Sequence, residues 1–249
     1  MQKIKKSSKF YKKFSLKSKT VLINTFQNIF QKVEKLGNHR LNTEGVWKSD
    51  YKIVNINIFN NLCEKLDKQS KISNDTFLVL PNNHYENEWK EFKKLLTSNE
   101  SLLNTLNSFF GGREWKVGMP TCWRLKPLDM PPSKFNTSDG SRYWHLDDIR
   151  QDYLKLFINL KNVEEKHGPF MAISASDSKK IIKSSGSNRY VLKDKDFGVQ
   201  VIKANGPIGT ATFCTTSRCF HRGGFQKKNY IRDMLQVHFV LKKPIFGLI

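Results

Sequence analysis

The feature that most constrains this chain is a change of hydrophobic period at Gly111-Gly112. Before it, apolar residues recur at helical spacing near 56–67 and across 86–109. The second stretch carries Trp89, Phe92, Leu95 and Leu96, then Leu102, Leu103 and Leu106. From Trp115 onward the pattern turns into short alternating or apolar runs separated by turn residues. These lie near 116–125, 141–146, 153–160, 169–173, 199–203, 208–214 and 232–242. Helices followed by many short strands predict an α+β or mainly β fold. The expected form is a β-sandwich or jelly roll with the N-terminal helices packed on one sheet. The expected organisation is a basic tail over 1–14 and a single domain over 15–249. That domain would be mainly helical over 15–112 and a jelly-roll core over 113–249.

Within 15–37, Leu22, Phe26, Ile29, Val33 and Leu36 form one apolar stripe, and Gly37 suits a helix C-cap. The expectation is a helix packed on the main domain. A basic amphipathic helix could also touch an anionic membrane surface or another polyanion, which residues 1–40 leave open. Those 40 residues hold eleven Lys/Arg and one acid, so they carry +10 of the formal +21. The other 209 residues share +11. Of 43 basic residues, 34 are Lys and nine are Arg, whereas base readout and bidentate phosphate grips favour Arg. No RNP-type motif or zinc-finger spacing accompanies the charge, so a nucleic-acid partner is disfavoured. No apolar run reaches the ~18 residues of a membrane span, and no apolar signal segment follows the charged N-terminus. Cys63, Cys122, Cys214 and Cys219 form no C-x-x-C pair. They are expected to be free thiols in a reducing, cytoplasmic setting.

Two runs can be read by face. In 153–160, Leu154, Leu156, Ile158 and Leu160 share one side; Tyr153, Lys155, Phe157 and Asn159 share the other. In 232–241, Leu235, Val237, Phe239 and Leu241 oppose Arg232, Met234, Gln236 and His238. The greasy sides suit helix packing. The polar sides predict a lined cavity, or else a sheet face wetted by solvent.

The segment "RYWHLDD" places His145 and Asp147 two residues apart, on one side of a strand. His221, in "TTSRCFHRGGF", is the best candidate for a third partner. Two histidines and one carboxylate with open positions left over suit non-haem Fe(II). Arg232, eleven residues after His221 and on the polar side of its strand, offers a planar fork for a carboxylate.

With these residues in place, the segment from about Trp115 to Lys243 resembles the phytanoyl-CoA dioxygenase-like family of Fe(II)/2-oxoglutarate oxygenases. The matching stretches are "WHLDD", "LKLFINLKNVEEKHGPFMAISASD", "GPIGTATFCTTSRCFHRGG" and the Arg232 strand. The resemblance implies a double-stranded β-helix, a cupin-like jelly roll. It implies His145, Asp147 and His221 as ligands of Fe(II), and Arg232 as the partner of the 2-oxoglutarate C5 carboxylate. It further implies O2 consumption, with release of succinate and CO2, during hydroxylation of a small-molecule or carrier-linked metabolite. Two positions depart from the family pattern. Gly223 stands where many members have Ser or Thr, and the segment "SASDS" lacks the histidine of a "GSH" motif. Related halogenases have a small residue in place of the carboxylate, so Asp147 favours hydroxylation.

Lys155 and Phe157 are further candidates for contact with 2-oxoglutarate or substrate, against a plain structural role. Trp144 is expected to face away from His145. Arg142 and Arg222 flank the ligands and are open to either an anionic substrate or solvent. Loop 126–141, with three prolines, is a candidate lid. Two other function classes stay open: a non-catalytic jelly-roll ligand-binding module, and a basic nucleic-acid-directed oxygenase or binding protein.

Overall fold

The computed structural model describes residues 39–128, 142–147, 153–185, 190–192 and 197–242. The tail 1–14, the stripe 22–36 and all but residues 126–128 of the candidate lid lie outside the described residues.

The helical half contains α1 (Arg40–Glu44), α2 (Ile56–Ile72), α3 (Glu86–Ser98) and α4 (Glu100–Phe110). Asn55 caps α2 by accepting from the Ile58 N–H at 3.2 Å, one of the four amides a helix start leaves orphaned. The stretch expected as one helix over 86–109 is two. Asn99 adopts extended backbone and accepts from the Leu102 N–H at 2.9 Å, which ends α3 and starts α4. Gly111, at φ 62°, closes α4 in the left-handed conformation.

Twelve strands were found among the described residues. They are β1 (Val46–Lys52), β2 (Phe77–Val79), β3 (Trp115–Val117), β4 (Thr121–Leu125), β5 (Trp144–His145), β6 (Tyr153–Asn159), β7 (Phe170–Ile173), β8 (Tyr190–Leu192), β9 (Val201–Lys203), β10 (Thr210–Cys214), β11 (His221–Gly223) and β12 (Arg232–Leu241). The run expected near 116–125 is split into β3 and β4 around Gly118 and Pro120. Strands β1 and β2 lie inside the region expected to be helical. A fifth helix, α5 (Ala175–Ser185), occupies part of the region expected to be only strands.

All pairing is antiparallel, in two sheets. The larger runs β1-β10-β6-β12-β4-β2, with β3 also on β12; the smaller runs β8-β5-β11-β7-β9. Strands β6 and β12 lie at the centre of the larger sheet and pair over seven residues, from Met234 opposite Asn159 to Val240 opposite Tyr153.

The alternation read from the sequence holds. Leu154, Leu156, Ile158, Leu235, Val237 and Phe239 join Phe59, Leu62, Phe92, Leu102, Leu106 and Phe110 of the helices in one apolar cluster. Each of these side chains is worth about 1.5–3 kcal/mol in burial, so the helices are held on that face by the hydrophobic effect. The opposite face contributes Trp123, Leu125, Phe157 and Met234 to a second cluster, with Phe170, Ala172 and Phe220 from around the smaller sheet. The two sheets therefore face each other. A buried ion pair joins β4 to β12, where Arg124 grips Asp233 through Nε and Nη2 at 2.6 and 2.7 Å, and Arg124 also reaches the half-exposed Asp67 of α2 at 2.6 Å.

All four cysteines are buried and free. No helix among the described residues is long and apolar enough to cross a membrane.

Candidate metal centre and co-substrate cavity

His145 on β5 stands directly opposite His221 on β11 in the smaller sheet. Pairing in register sends both imidazoles to the same side, and their ring centroids are 4.2 Å apart. Asp147 follows just beyond the end of β5. Its N–H donates to the Thr216 carbonyl at 2.9 Å, which fixes the backbone where the ladder has stopped. Asp147 Oδ1 lies 3.8 Å from His145 Nε2 and 3.7 Å from His221 Nε2. One ligand atom from each residue lies within 4.8 Å of the other two. Ligands about 2.0–2.3 Å from one ion are at most roughly 4.6 Å apart, so a small shift suffices for all three to share one.

The orientation of each ring is set from behind. His145 Nδ1 donates to the Tyr143 carbonyl at 2.7 Å, and His221 Nδ1 to the Cys219 carbonyl at 3.0 Å. A carbonyl only accepts, so both rings carry their proton on Nδ1 and leave the Nε2 lone pair for a metal. Burial, then the nearby His145 ring, pushes His221 down to about 3. It is therefore neutral at ordinary pH, as a ligand must be. Burial pushes the Asp147 carboxyl up, but the His221 ring and the Lys155 ammonium outweigh it and hold the group well below the usual carboxylate range. The donor set is the neutral His221 imidazole, the His145 imidazole and an ionised carboxylate, which suits a first-row dication.

The three residues line a cavity of about 160 Å³ between the sheets, together with Trp123, Phe157, Phe170, Arg232 and Gln236. This is the cavity expected from the polar sides of β6 and β12. Arg232 is 1% exposed. Its Nη1 donates to the Gly168 carbonyl, and its carbon centre lies 5.2 Å from the Trp123 ring. Its Nε and Nη2 are buried with no hydrogen-bond partner among the described residues. Burial, then the Arg142 guanidinium, pulls Arg232 down to about 9, which still leaves it charged at neutral pH. Two unpaired donors on a buried cation cost on the order of 1–3 kcal/mol each, a penalty that a carboxylate seated there would remove.

Glycine makes this corner possible. Gly168 has φ 60°, and a Cβ there would come within 2.5 Å of the Gly224 carbonyl oxygen. A Cβ on Gly224 would meet Gly168 and Pro169 at 2.9 Å. The two turns cross backbone against backbone, which brings the Gly168 carbonyl to Arg232.

The remaining candidates fall as follows. Phe157 stacks on Phe170, with centroids 4.1 Å apart, and forms cavity wall. Lys155 lines the cavity, but its ammonium sits 2.5 Å from Asp147 Oδ2. Gly223 also lines the cavity and offers no hydroxyl. Trp144 is buried on the far side of β5, against Phe197 and beneath the Arg222 guanidinium. Arg142 is not solvent-exposed: it is wholly buried and bonded to Gln226 and to the carbonyls of Thr76 and Lys126. The "SASDS" stretch opens α5. There Ser174 Oγ accepts from the Asp177 N–H at 3.1 Å, a cap rather than a cavity contact.

Two contacts around Asp147 were not anticipated: Tyr153 donates to Asp147 Oδ2 at 3.2 Å, and Thr216 donates to the Tyr153 hydroxyl at 3.4 Å. Gln236 lines the cavity beside Arg232, as the polar side of its strand predicted. Strand alternation put Tyr153 and Gln236 on the right side; nothing local marked Thr216.

No protein-family model matches the chain, and no curated protein sequence does. Solved structures do resemble it. The epimerase SnoN, in complex with Fe3+, alpha-ketoglutarate and nogalamycin RO, superposes with a TM-score of 0.53 at 9% identity, covering 86% of this chain and 84% of that one. AviO1 from Streptomyces viridochromogenes Tue57 gives 0.51 at 13% identity, over 84% and 94%. HygX from Streptomyces hygroscopicus, with nickel and 2-oxoglutarate bound, gives 0.51 at 10% identity, over 82% and 85%. At such identities the likeness is one of fold alone.

Proposed function

We propose that this protein is an Fe(II)- and 2-oxoglutarate-dependent oxygenase built on a double-stranded β-helix, and that it hydroxylates a small molecule. One observation carries the reading: three metal-ligand atoms converge in a cavity that also holds a buried guanidinium with two donors unpaired among the described residues. His145 Nε2, Asp147 Oδ1 and His221 Nε2 would hold the iron, and Arg232 Nε and Nη2 would receive the distal carboxylate of 2-oxoglutarate. The donor set and the orphaned guanidinium both fit these groups. Within the fold, the order of the motifs points to the phytanoyl-CoA dioxygenase-like family.

When bound, iron and the 2-oxo acid supply the oxidation, which consumes O2 and yields succinate and CO2. The protein's part is placement. Tyr143 and Cys219 carbonyls fix the imidazoles, and Phe157, Phe170 and Trp123 keep the cavity apolar between its two polar ends. Asp147 occupies the position that a halide would need, so the reading is hydroxylation rather than halogenation. SnoN and HygX were solved with alpha-ketoglutarate or 2-oxoglutarate in place, and SnoN with nogalamycin RO, which supports a small-molecule substrate.

The test is anaerobic addition of Fe(II) and then 2-oxoglutarate. A visible charge-transfer band should appear, and succinate should form once O2 is admitted. Absence of both ends this reading.

A further inference from the structure

Asp147 has two carboxylate oxygens, and the structure gives them different work. Oδ1 faces the two histidines at 3.8 and 3.7 Å. Oδ2 faces the larger sheet, where it accepts from Lys155 Nζ at 2.5 Å and from the Tyr153 hydroxyl at 3.2 Å. Both donors lie on β6, two residues apart and on the same side. The Tyr153 hydroxyl accepts from Thr216 Oγ1, so its own proton is directed to Asp147. The Tyr153 ring is stacked on His238, 8° from parallel with centroids 5.7 Å apart. Lys155 stands mid-sheet, paired with Cys214 on β10 and His238 on β12, so its backbone is fixed from both sides. Its side chain is 12% exposed. These contacts amount to a built clamp on one oxygen.

We infer that Lys155 is a positioning residue that confines Asp147 to coordination through a single oxygen. The inference rests on the proposed function for its purpose, though its geometry stands without it. A carboxylate beside a dication can bind through one oxygen or chelate through both. Chelation here would require Oδ2 to leave an ammonium and a hydroxyl. With one oxygen used, the protein fills three of six octahedral positions, and three remain for a bidentate 2-oxo acid and O2. With two oxygens used, only two remain, and a bidentate 2-oxo acid would fill both, leaving no position for O2. Lys155 would then keep the O2 position open from the carboxylate side, without touching the co-substrate.

The metal alone provides a readout. Infrared difference spectra on adding Mn(II) to protein labelled with 13C at the aspartate carboxyl report denticity: a wide separation of the two carboxylate stretches for one-oxygen binding, a narrow one for chelation. The wild type should give the wide separation. Lys155→Met, which keeps the length and removes the charge, should narrow it, and Lys155→Arg should restore it. With Fe(II) and 2-oxoglutarate bound, Lys155→Met should lose its charge-transfer band about tenfold more slowly on exposure to O2, in the range of other outer-shell substitutions, while its affinity for 2-oxoglutarate stays within about twofold. Oxalate, which chelates but has no distal carboxylate, should likewise bind within about twofold of wild type. An unchanged separation in Lys155→Met overturns the inference. So does a loss confined to 2-oxoglutarate, because it would place Lys155 on the distal carboxylate. Loss of Mn(II) binding altogether would overturn it too, by making the lysine a requirement of the site's fold. Failure of the proposed function looks different: the wild type would show no band with Fe(II) and 2-oxoglutarate, while the Mn(II) spectra would still be read.

Discussion

On one face of the larger sheet, β6 and β12 present Leu154, Leu156, Ile158, Leu235, Val237 and Phe239 to the helices. On the other face the same two strands present Tyr153, Lys155, Phe157, Arg232 and Gln236. The first set is apolar and packed with no polar group to satisfy. The second holds two cations, and two donors of Arg232 have no partner among the described residues. A single backbone thus serves stability on one side and binding on the other, because successive side chains point opposite ways. The contrast shows where each kind of energy is kept. The helix side gains free energy on folding, while the cavity side gives some up, to be recovered when ligands arrive.

That division can be broken in a definite order. Removing a metal ligand should have the largest effect: His145→Ala should abolish the Fe(II)/2-oxoglutarate band while leaving the thermal midpoint of the metal-free protein near wild type. A large drop in that midpoint would mean that the ligand side also carries the fold. Next is the apolar side. Leu156, fully buried among the helices, should cost about 2–5 kcal/mol on truncation to Ala, read from urea unfolding. The 2-oxoglutarate affinity of the folded fraction should stay within about twofold, because only the far face of β6 has changed. Smaller again is Arg232→Met, for which we expect about a 100-fold weaker 2-oxoglutarate complex, near 2.7 kcal/mol. Its unfolding midpoint without ligand should not fall, since the change removes a buried charge with two donors unpaired among the described residues. A fall comparable to that of Leu156→Ala would show that Arg232 is a structural cation.

The sequence reveals the two sides of the sheet because period-two alternation over seven or more residues leaves little freedom of reading. It reveals His145 and Asp147 as a pair for the same reason, although β5 ends at His145 and Asp147 is held by the Thr216 carbonyl. The strands β1 and β2 are not legible. In β1 only Val46 and Trp47 are buried before a half-exposed stretch, and β2 is three residues long, too short for a period. The break at Asn99 is hidden by apolar spacing that continues in phase across it. The clamp on Asp147 Oδ2 is also invisible, because Lys155, Tyr153 and Thr216 meet only through tertiary structure. A lysine facing a cavity reads from sequence as a ligand contact; the structure shows its nearest partner is a protein carboxylate.

The smallest effect concerns acid stability, and it too separates the faces. His238 lies on the cavity side of β12, stacked on Tyr153 and 2.6 Å from Gln236 through its Nε2. An amide N–H of Gln236 can donate to that nitrogen only while the ring is neutral. Burial, then the Lys155 ammonium, pushes His238 down to about 4, and His221 is held at about 3. In the unfolded chain both would take up a proton near ~6.5. The folded pKa lies below the unfolded one, so the stabilisation is complete above ~6.5 and is lost as pH falls toward the folded values. Asp147 is depressed as well, but a carboxylate acts below this window. Urea midpoints of the metal-free protein should therefore fall between pH 7 and pH 5. His238→Phe keeps a ring against Tyr153 and removes one titrating group. It should make the fall shallower by up to one proton, about 1.4 kcal/mol per pH unit at most, leaving the part due to His221. An unchanged slope would mean that His238 titrates alike in both states and that this edge of the cavity is open to water. A slope reduced by Leu156→Ala instead would put the acid sensitivity on the helix face, where the apolar cluster holds no histidine or carboxylate among the described residues.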